Sequence, residues 1–450
     1  MEPQQSIPPE PLDPRAKSTL KVVFITLFLD LVGFSIIFPL FPNMLEFYLG
    51  QEGEAGLIGW VVTALESFTR AAGGPQGIGL VILFGGVLSS LYSLLQFLFS
   101  PFIGTLSDRF GRRPVLLVCI AGIAISYVLW IVAGQFYLLV LARILGGIAA
   151  GNISTATAIV ADVTSRQNRP KGMAIIGMAF GLGFIVGPAI GGFSALLNPL
   201  DHWPSLAQWG VNPFSVPALV ALLLSLANLA YVFTRFEETL PKTTDSQRIK
   251  RSANPLQLFK RDVYPGVTKT SMINFLFLTA FAGMEFSLTF LAKDRLDYSP
   301  VQNAYMFVFI GLTLALVQGG YVRRRSAIIG PKRMSIHGFI LTIPGLVLVG
   351  FAHHSLMLYA GLFLMAVGSA QIIPCLTALA SVYAPPDDQG RVLGVFRSLG
   401  ALARGVGPLL ACVAYWQLGA LTAYLLGAGA IAVPLALAAT LPKSPEASAP

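Results

Sequence analysis

Residues 104–114 read GTLSDRFGRRP. Apolar runs flank this segment, 79–101 before it and 115–133 after it. Between them lies a glycine-bounded turn with one acid, Asp108, and three bases, Arg109, Arg112 and Arg113. Each flanking run has about the 20 residues a helix needs to cross the hydrocarbon core of a bilayer. A short basic loop between two uncharged helices is the mark of the cytoplasmic edge of a multi-pass membrane protein.

The rest of the chain repeats that pattern. Hydrophobic residues fill 55% of the 450 positions and charged residues only 11%. A soluble globular chain carries about 25% charged residues. The composition therefore excludes a soluble enzyme, a disordered chain and a nucleic-acid binder. Twelve runs are candidate membrane helices: 22–45, 79–101, 115–133, 136–160, 172–197, 214–233, 268–291, 301–321, 336–351, 356–383, 392–416 and 420–441. Cys119, Cys375 and Cys412 fall inside such runs and read as small core residues, without a disulfide framework. The first 21 residues are polar and proline-rich and lack the apolar core of a cleaved signal. The first run is thus expected to remain as a helix.

Lysine and arginine set the orientation. With the N-terminus in the cytoplasm, 25 basic residues fall on that side, Arg391 and Arg397 among them as a connection between the tenth and eleventh runs. Only Arg70, Lys293 and Arg295 fall on the other side, and Arg143 and Arg404 lie inside runs. Cytoplasmic loops carry the excess of Lys and Arg. Both termini are therefore expected to be cytoplasmic, and the net charge of +9 is mostly a topology signal.

The longest charged stretch lies mid-chain and divides it. The expected order is an N-terminal tail 1–21, a six-helix bundle 22–233, a cytoplasmic linker 234–267, a second six-helix bundle 268–441 and a C-terminal tail 442–450. Within the linker, Pro255-Leu256 and Leu258-Phe259 suggest a short surface helix. The halves match at an offset of 220 residues: Gly187-Pro188 in VGPAIGG pairs with Gly407-Pro408 in VGPLLAC, and Lys171 pairs with Arg391. Duplicated halves are one plan of secondary transporters. Chance is the alternative, since Gly-Pro pairs are common in membrane helices.

Four ionisable residues lie deep in apolar runs: Asp30, Arg143, Glu285 and Arg404. A charge at mid-bilayer costs at least ~2.5–3.5 kcal/mol, so each is expected to face the interior or a wet cavity. Two acids and two bases suggest pairing. The plain alternative is that matched ion pairs merely hold helices together, although buried pairs are poor stabilisers. Glu285 sits among Met and Phe in AFAGMEFSLTF, a setting suited to an acid that takes up a proton on one side and releases it on the other. Arg143 has Gly147 and Gly151 on its face, which leaves room for the guanidinium and a neighbouring helix. Arg404 stands where Phe184 stands in the first half, an unrepeated charge fit to bind an anionic group or pair with Glu285. Gln96, Asn152, Gln318 and Gln371 are candidates to line the same cavity, though each alone is more often an interhelical hydrogen bond. No metal-spaced cluster, phosphate loop or nucleophile triad is visible, so no cofactor, metal or enzymatic activity is expected.

The 104–114 loop matches the Gly-x-x-x-Asp-Arg-x-Gly-Arg-Arg signature of the major facilitator superfamily, which this chain resembles over all twelve runs. FLDLVGFSIIFPLFP in the first run, LARILGGIAAGN in the fourth and GLGFIVGPAIGG in the fifth extend the resemblance to the drug:proton antiporter branch, with its tetracycline exporters and animal tetracycline-transporter-like members. The resemblance implies an all-α membrane protein, with twelve transmembrane helices in two six-helix bundles. It implies that Asp108, Arg112 and Asp162 (in IVADVT) hold the cytoplasmic face in the outward-open state. The alternative for that loop is a solvated, positive-inside turn. The second-half loop GGYVRRRSAIIGPKRM has no acid in the place of Asp108, which counts against a symmetric latch. Gly181, Gly187, Pro188, Gly191 and Gly192 form the antiporter motif, with close helix packing as the simpler reading. The resemblance implies proton-coupling roles for Asp30 and Arg143, which Glu285 is expected to share; the simpler reading of Asp30 is a capping or packing acid. Arg404 with Arg143, Glu285 and the four polar residues above is expected to bind substrate.

The expected function is proton-coupled antiport of amphipathic organic compounds or drugs by alternating access. An organic-anion or lipid-like substrate is the main alternative, because Arg143 and Arg404 suit an anion. A non-transporting membrane sensor ranks below both. The expected partners are a small organic substrate, protons and membrane lipid, with no nucleic acid and a monomeric state.

Overall fold

Caps fix the helix starts. Asp13 accepts the backbone N–H of Arg15 and precedes Pro14, whose fixed φ suits the first position of a helix. Ser299 and Gln302 form a reciprocal capping box ahead of Pro300. The computed structural model describes residues 13–53, 56–71, 78–164, 169–240, 265–384 and 389–442. The expected helix around 255–259 lies outside them, as do both chain ends and the loop 165–168; the side chains of Lys171 and Arg391 are likewise outside the description.

The described chain is helical throughout. In order it forms α1 (Pro14–Ser35), α2 (Phe41–Glu52), α3 (Leu57–Ala71), α4 (Ile78–Phe110), α5 (Arg112–Ile131), α6 (Phe136–Ala149), α7 (Asn152–Val163), α8 (Arg169–Ser194) and α9 (Ser215–Arg235). After the linker come α10 (Pro265–Leu296), α11 (Pro300–Leu316), α12 (Arg323–Ile329), α13 (Pro331–Gly350), α14 (Ser355–Tyr383) and α15 (Gln389–Ala439). Among the described residues, eleven segments are long and apolar enough to cross a membrane. The last, Val395–Ala439, has 45 residues. As one straight helix it would run roughly 67 Å, twice the hydrocarbon thickness of about 30 Å. Gly419, at φ 78°, breaks it where two runs were expected to meet.

Three features depart from the expected runs. The segment 22–45 bends through a 3₁₀ turn at Phe38–Leu40, centred on Pro39. The run 136–160 is two helices, parted at Ala150 and Gly151. Gly151 lies against α4: an added Cβ would come within 2.6 Å of Ile103 and 3.2 Å of the Phe99 backbone. The run 301–321 ends in a π-helical turn, Val317–Val322. The amphipathic α3 lies in a stretch where no run was drawn, because its apolar residues are interleaved with polar ones.

Helices pack in a pattern that brings distant sequence together. α1 lies against α8 and α9, and α5 against α6 and α9. α10 lies against α15, and α13 against α14 and α15. The main contacts between the first nine helices and the last six are α8 with α11 and α4 with α15.

Candidate functional site

A cavity of about 410 Å³ lies where α4, α7, α8, α10, α11, α14 and α15 converge. Its walls are largely apolar, with Phe180, Phe184, Phe281 and Phe307 among them. Gln96, Asn274, Gln318, Ser369 and Thr377 supply neutral polar groups. Among the described residues, three charged side chains line it: Glu285 from α10, and Arg397 and Arg404 from α15. The Arg404 guanidinium stacks over Phe180 at 4.7 Å and Phe184 at 5.9 Å. Flat rings hold a guanidinium without requiring a counter-charge.

Of the expected substrate residues, Glu285, Arg404, Gln96 and Gln318 line this cavity, and Arg143, Asn152 and Gln371 do not. Gln96 also has a structural task. Its Nε2 donates to the Ala150 carbonyl at 3.2 Å, satisfying an acceptor freed by the break between α6 and α7. Gln371 turns back on its own helix, donating to Val367 O at 3.0 Å. Asn152 belongs to a second cluster.

That cluster is built on Asp30. Asn152 Nδ2 donates to one carboxyl oxygen at 2.6 Å, and Asn228 Nδ2 from α9 donates to the other at 3.0 Å. Arg143 is 5% exposed and lies over the rings of Tyr92 (4.6 Å) and Phe34 (5.4 Å). Its Nε and Nη2 have no hydrogen-bond partner. The expected pairing of buried acids with buried bases is therefore not what Asp30 and Arg143 do. Asparagines can spread across a carboxylate while α1, α7 and α9 stay closely packed, and aromatic faces take the arginine. Gly147 and Gly151 make room for α4, as the spacing in the sequence suggested: a Cβ on Gly147 would come within 2.8 Å of the Tyr92 carbonyl.

Asp108, Arg112 and Asp162 meet at one end of the molecule. Arg112 is 3% exposed. Its Nη1 reaches Asp108 at 2.5 Å and Ser107 Oγ at 2.8 Å, and its Nε reaches Asp162 at 2.9 Å. A fourth member, Glu238, follows α9. Its carboxylate accepts the backbone N–H groups of Arg112 (2.9 Å) and Arg113 (3.0 Å), which the first turn of α5 leaves without a partner inside the helix. Burial pushes the Glu238 carboxyl up, but four backbone N–H donors outweigh it and hold the group below its ordinary value.

The glycines of the antiporter motif do different jobs. A Cβ on Gly187 would strike Ser35 and Val32, and one on Gly191 would strike the Ile36 backbone, so both set the α1–α8 contact. Ser35 Oγ completes that seam by donating to Gly183 O at 3.0 Å. Gly192 abuts Pro300 and Ala304 of α11, while Gly181 faces open space on the cavity. Similar close approaches occur at Gly86 against Cys412 and at Gly311 against Ile185.

Arg397, Asn228 and Glu238 were missed by sequence reasoning. Arg397 was counted with the connection, although it lies two helical turns before Arg404 and so on nearly the same face of α15. Asn228 and Glu238 carried no signal that tied them to Asp30 or to α5. Among the described residues no three His, Cys, Asp or Glu side chains gather as metal ligands would.

The comparisons agree with the fold. The profile of the Major Facilitator Superfamily matches residues 23–408 and, again, 309–449. The chain is 38% identical over 443 residues to the Bos taurus major facilitator superfamily domain-containing protein 10, covering 93% of this chain and 92% of that protein. It is 26% identical over 402 residues to the Escherichia coli tetracycline resistance protein, class B, covering 88% of each. The crystal structure of the human organic anion transporter MFSD10 (TETRAN) superposes with a TM-score of 0.77 at 35% identity, covering 95% of this chain and all of that one. These matches and the eleven long apolar segments describe an integral, multi-pass membrane protein, and the chain belongs to the major facilitator superfamily.

Proposed function

We propose that this protein is a secondary transporter of amphipathic organic anions, lipid-like ones included. It works by alternating access between two six-helix halves, with both termini in the cytoplasm. The observation that carries the reading is the charge of the cavity: two guanidinium groups and one carboxylate among phenylalanine walls. Arginine on a flat aromatic face suits a carboxylate, sulfonate or phosphate head, and the phenylalanines suit an apolar body. The human organic anion transporter of similar fold supports the same class.

In this reading Asp108, Arg112 and Asp162 tie α4, α5 and α7 together at the cytoplasmic edge of the first half, and the face they build is the one that meets the second half when the cavity closes on that side. Glu285 is the proton site in the cavity, and Asp30 with Arg143 a second, buried site. Proton-coupled antiport of a cationic drug is the second reading, favoured by the likeness to tetracycline resistance proteins and by Glu285 in the cavity wall.

The test is counterflow into proteoliposomes with two radiolabelled probes, naphthalene-2-sulfonate and tetraphenylphosphonium. The anion reading expects saturable sulfonate counterflow. Arg404→Gln should weaken sulfonate affinity about 30-fold, the equivalent of ~2 kcal/mol for a charge-assisted contact. Phosphonium counterflow without sulfonate counterflow would overturn the anion reading and favour the second.

A further inference from the structure

We propose that the substrate anion and one proton cross together, with Arg404 as the cation for which the anion and Glu285 compete. This rests on the anion reading above and reverses the sense of coupling expected of a drug exporter.

The geometry is local. Glu285 and Arg404 line the large cavity, and both also border a narrow recess of about 20 Å³ leading from it. Neither has a hydrogen-bond partner among the described residues, and the two share the walls of both spaces. The remaining recess walls are uncharged, with Ser89 and Ser93 from α4 as their polar members and Phe34, Phe184 and Pro408 among the apolar ones. Arg143 lies on the Phe34 ring, 5.4 Å from its centre. Arg397 is the other charged group at the cavity, seven residues from Arg404 and so about 10 Å along α15. No second acid lines the cavity among the described residues, so Glu285 has no carboxylate neighbour with which to share a proton.

With the cavity empty, Glu285 and Arg404 offset each other's charge. An anion seated on Arg404 puts two negative groups beside one guanidinium in a poorly solvated wall. The repulsion is removed when Glu285 takes a proton from water on the open side. Anion binding and proton binding therefore favour each other, and the coupling is reciprocal. The pair moves without net charge and the proton returns to water on the far side. A cationic substrate would need Glu285 charged, would compete with the proton, and would give exchange instead.

The test uses the full chain in proteoliposomes and naphthalene-2-sulfonate, which stays ionised at every working pH and cannot carry the proton itself. The membrane potential is clamped to zero with potassium and valinomycin. One proton per anion predicts about tenfold inward accumulation for each pH unit by which the outside is more acidic, since a pH unit and a tenfold concentration ratio are equal in free energy. Adding sulfonate to wild-type vesicles loaded with a pH dye should acidify the interior. In Glu285→Gln the ratio of uptake with and without the gradient should fall to about one. If sulfonate counterflow occurs but accumulation ignores the gradient, or follows an acidic interior, the coupling inference is wrong and the anion reading stands. If saturable sulfonate counterflow is absent altogether, both fail.

Discussion

Replacing Glu238 with alanine removes the acceptor that closes the first turn of α5. Two N–H groups, from Arg112 and Arg113, lose a charged partner at 2.9 and 3.0 Å. Losing a helix N-cap costs ~0.5–2 kcal/mol, and a charge facing the helix dipole adds ~0.3–1 kcal/mol. Glu238 is largely solvent-facing, so screening takes the lower part of that sum, leaving about 1–2 kcal/mol. At about 2–4 °C per kcal/mol for a unit the size of one half, the melting point of the detergent-solubilised protein should drop by roughly 2–8 °C. Glu238→Gln keeps an acceptor but loses the charge, and should lose about half as much. The assay is intrinsic tryptophan fluorescence on heating, at pH 7 and fixed salt. An alanine variant within 1 °C of wild type would refute the capping account. Equal losses in both variants would show that charge alone matters.

Two further outcomes follow from contacts of other kinds. Arg112→Ala removes the guanidinium that Asp162 and Asp108 share, and truncating one partner of a buried pair costs ~3–5 kcal/mol; with Asp108 one-third exposed, about 2–3 kcal/mol is expected, read as a melting-point loss larger than that of Glu238→Ala. Gly191→Ala drives a methyl group into the Ile36 backbone and should cost ~1–3 kcal/mol, whereas Gly181→Ala meets nothing within 4 Å and should melt like wild type; similar melting of the two variants would argue against separate roles within the motif.

The sequence was most legible where a signal was periodic or local. Apolar runs mark the helices because a bilayer demands about 20 apolar residues whatever the neighbours are. The 104–114 loop announces its own contact because Asp108 and Arg112 stand one helical turn apart. Legibility fails where partners are neutral or distant. Asp30 was expected to seek a cation, yet it is held by Asn152 and Asn228, 122 and 198 residues away. An amide in an apolar helix has many possible partners, and only packing selects one. Arg397 was misplaced for another reason: near a helix end, a topology charge and a cavity charge look alike until the face of the helix is known.

The two halves fasten corresponding helix starts by different chemistry, and acid should tell them apart. At the offset of 220, Arg112 becomes Lys332, and Asp108 becomes Ile328, which is exposed. Among the described residues no carboxylate therefore stands at the start of α13 as Glu238 does at α5. Lys332 Nζ instead donates to the Leu441 carbonyl at 2.5 Å, Lys269 to that of Thr440 at 3.2 Å, and Tyr383 Oη to that of Pro442 at 2.6 Å. In both halves the chain leaving the last helix is tucked in by a buried apolar residue, Phe236 or Leu441. The first tuck presents a carboxylate and the second presents main-chain oxygens. Glu238 has its folded value below the ordinary one, so its stabilisation is complete above the unfolded value of about 4.3 and fades as pH falls through the folded value. A main-chain carbonyl does not titrate. Between pH 7 and pH 3.5, amide exchange corrected for intrinsic pH dependence should therefore rise at the first turn of α5 and stay level at the first turn of α13. Equal loosening of both turns would mean that acid acts on the whole fold and not on Glu238.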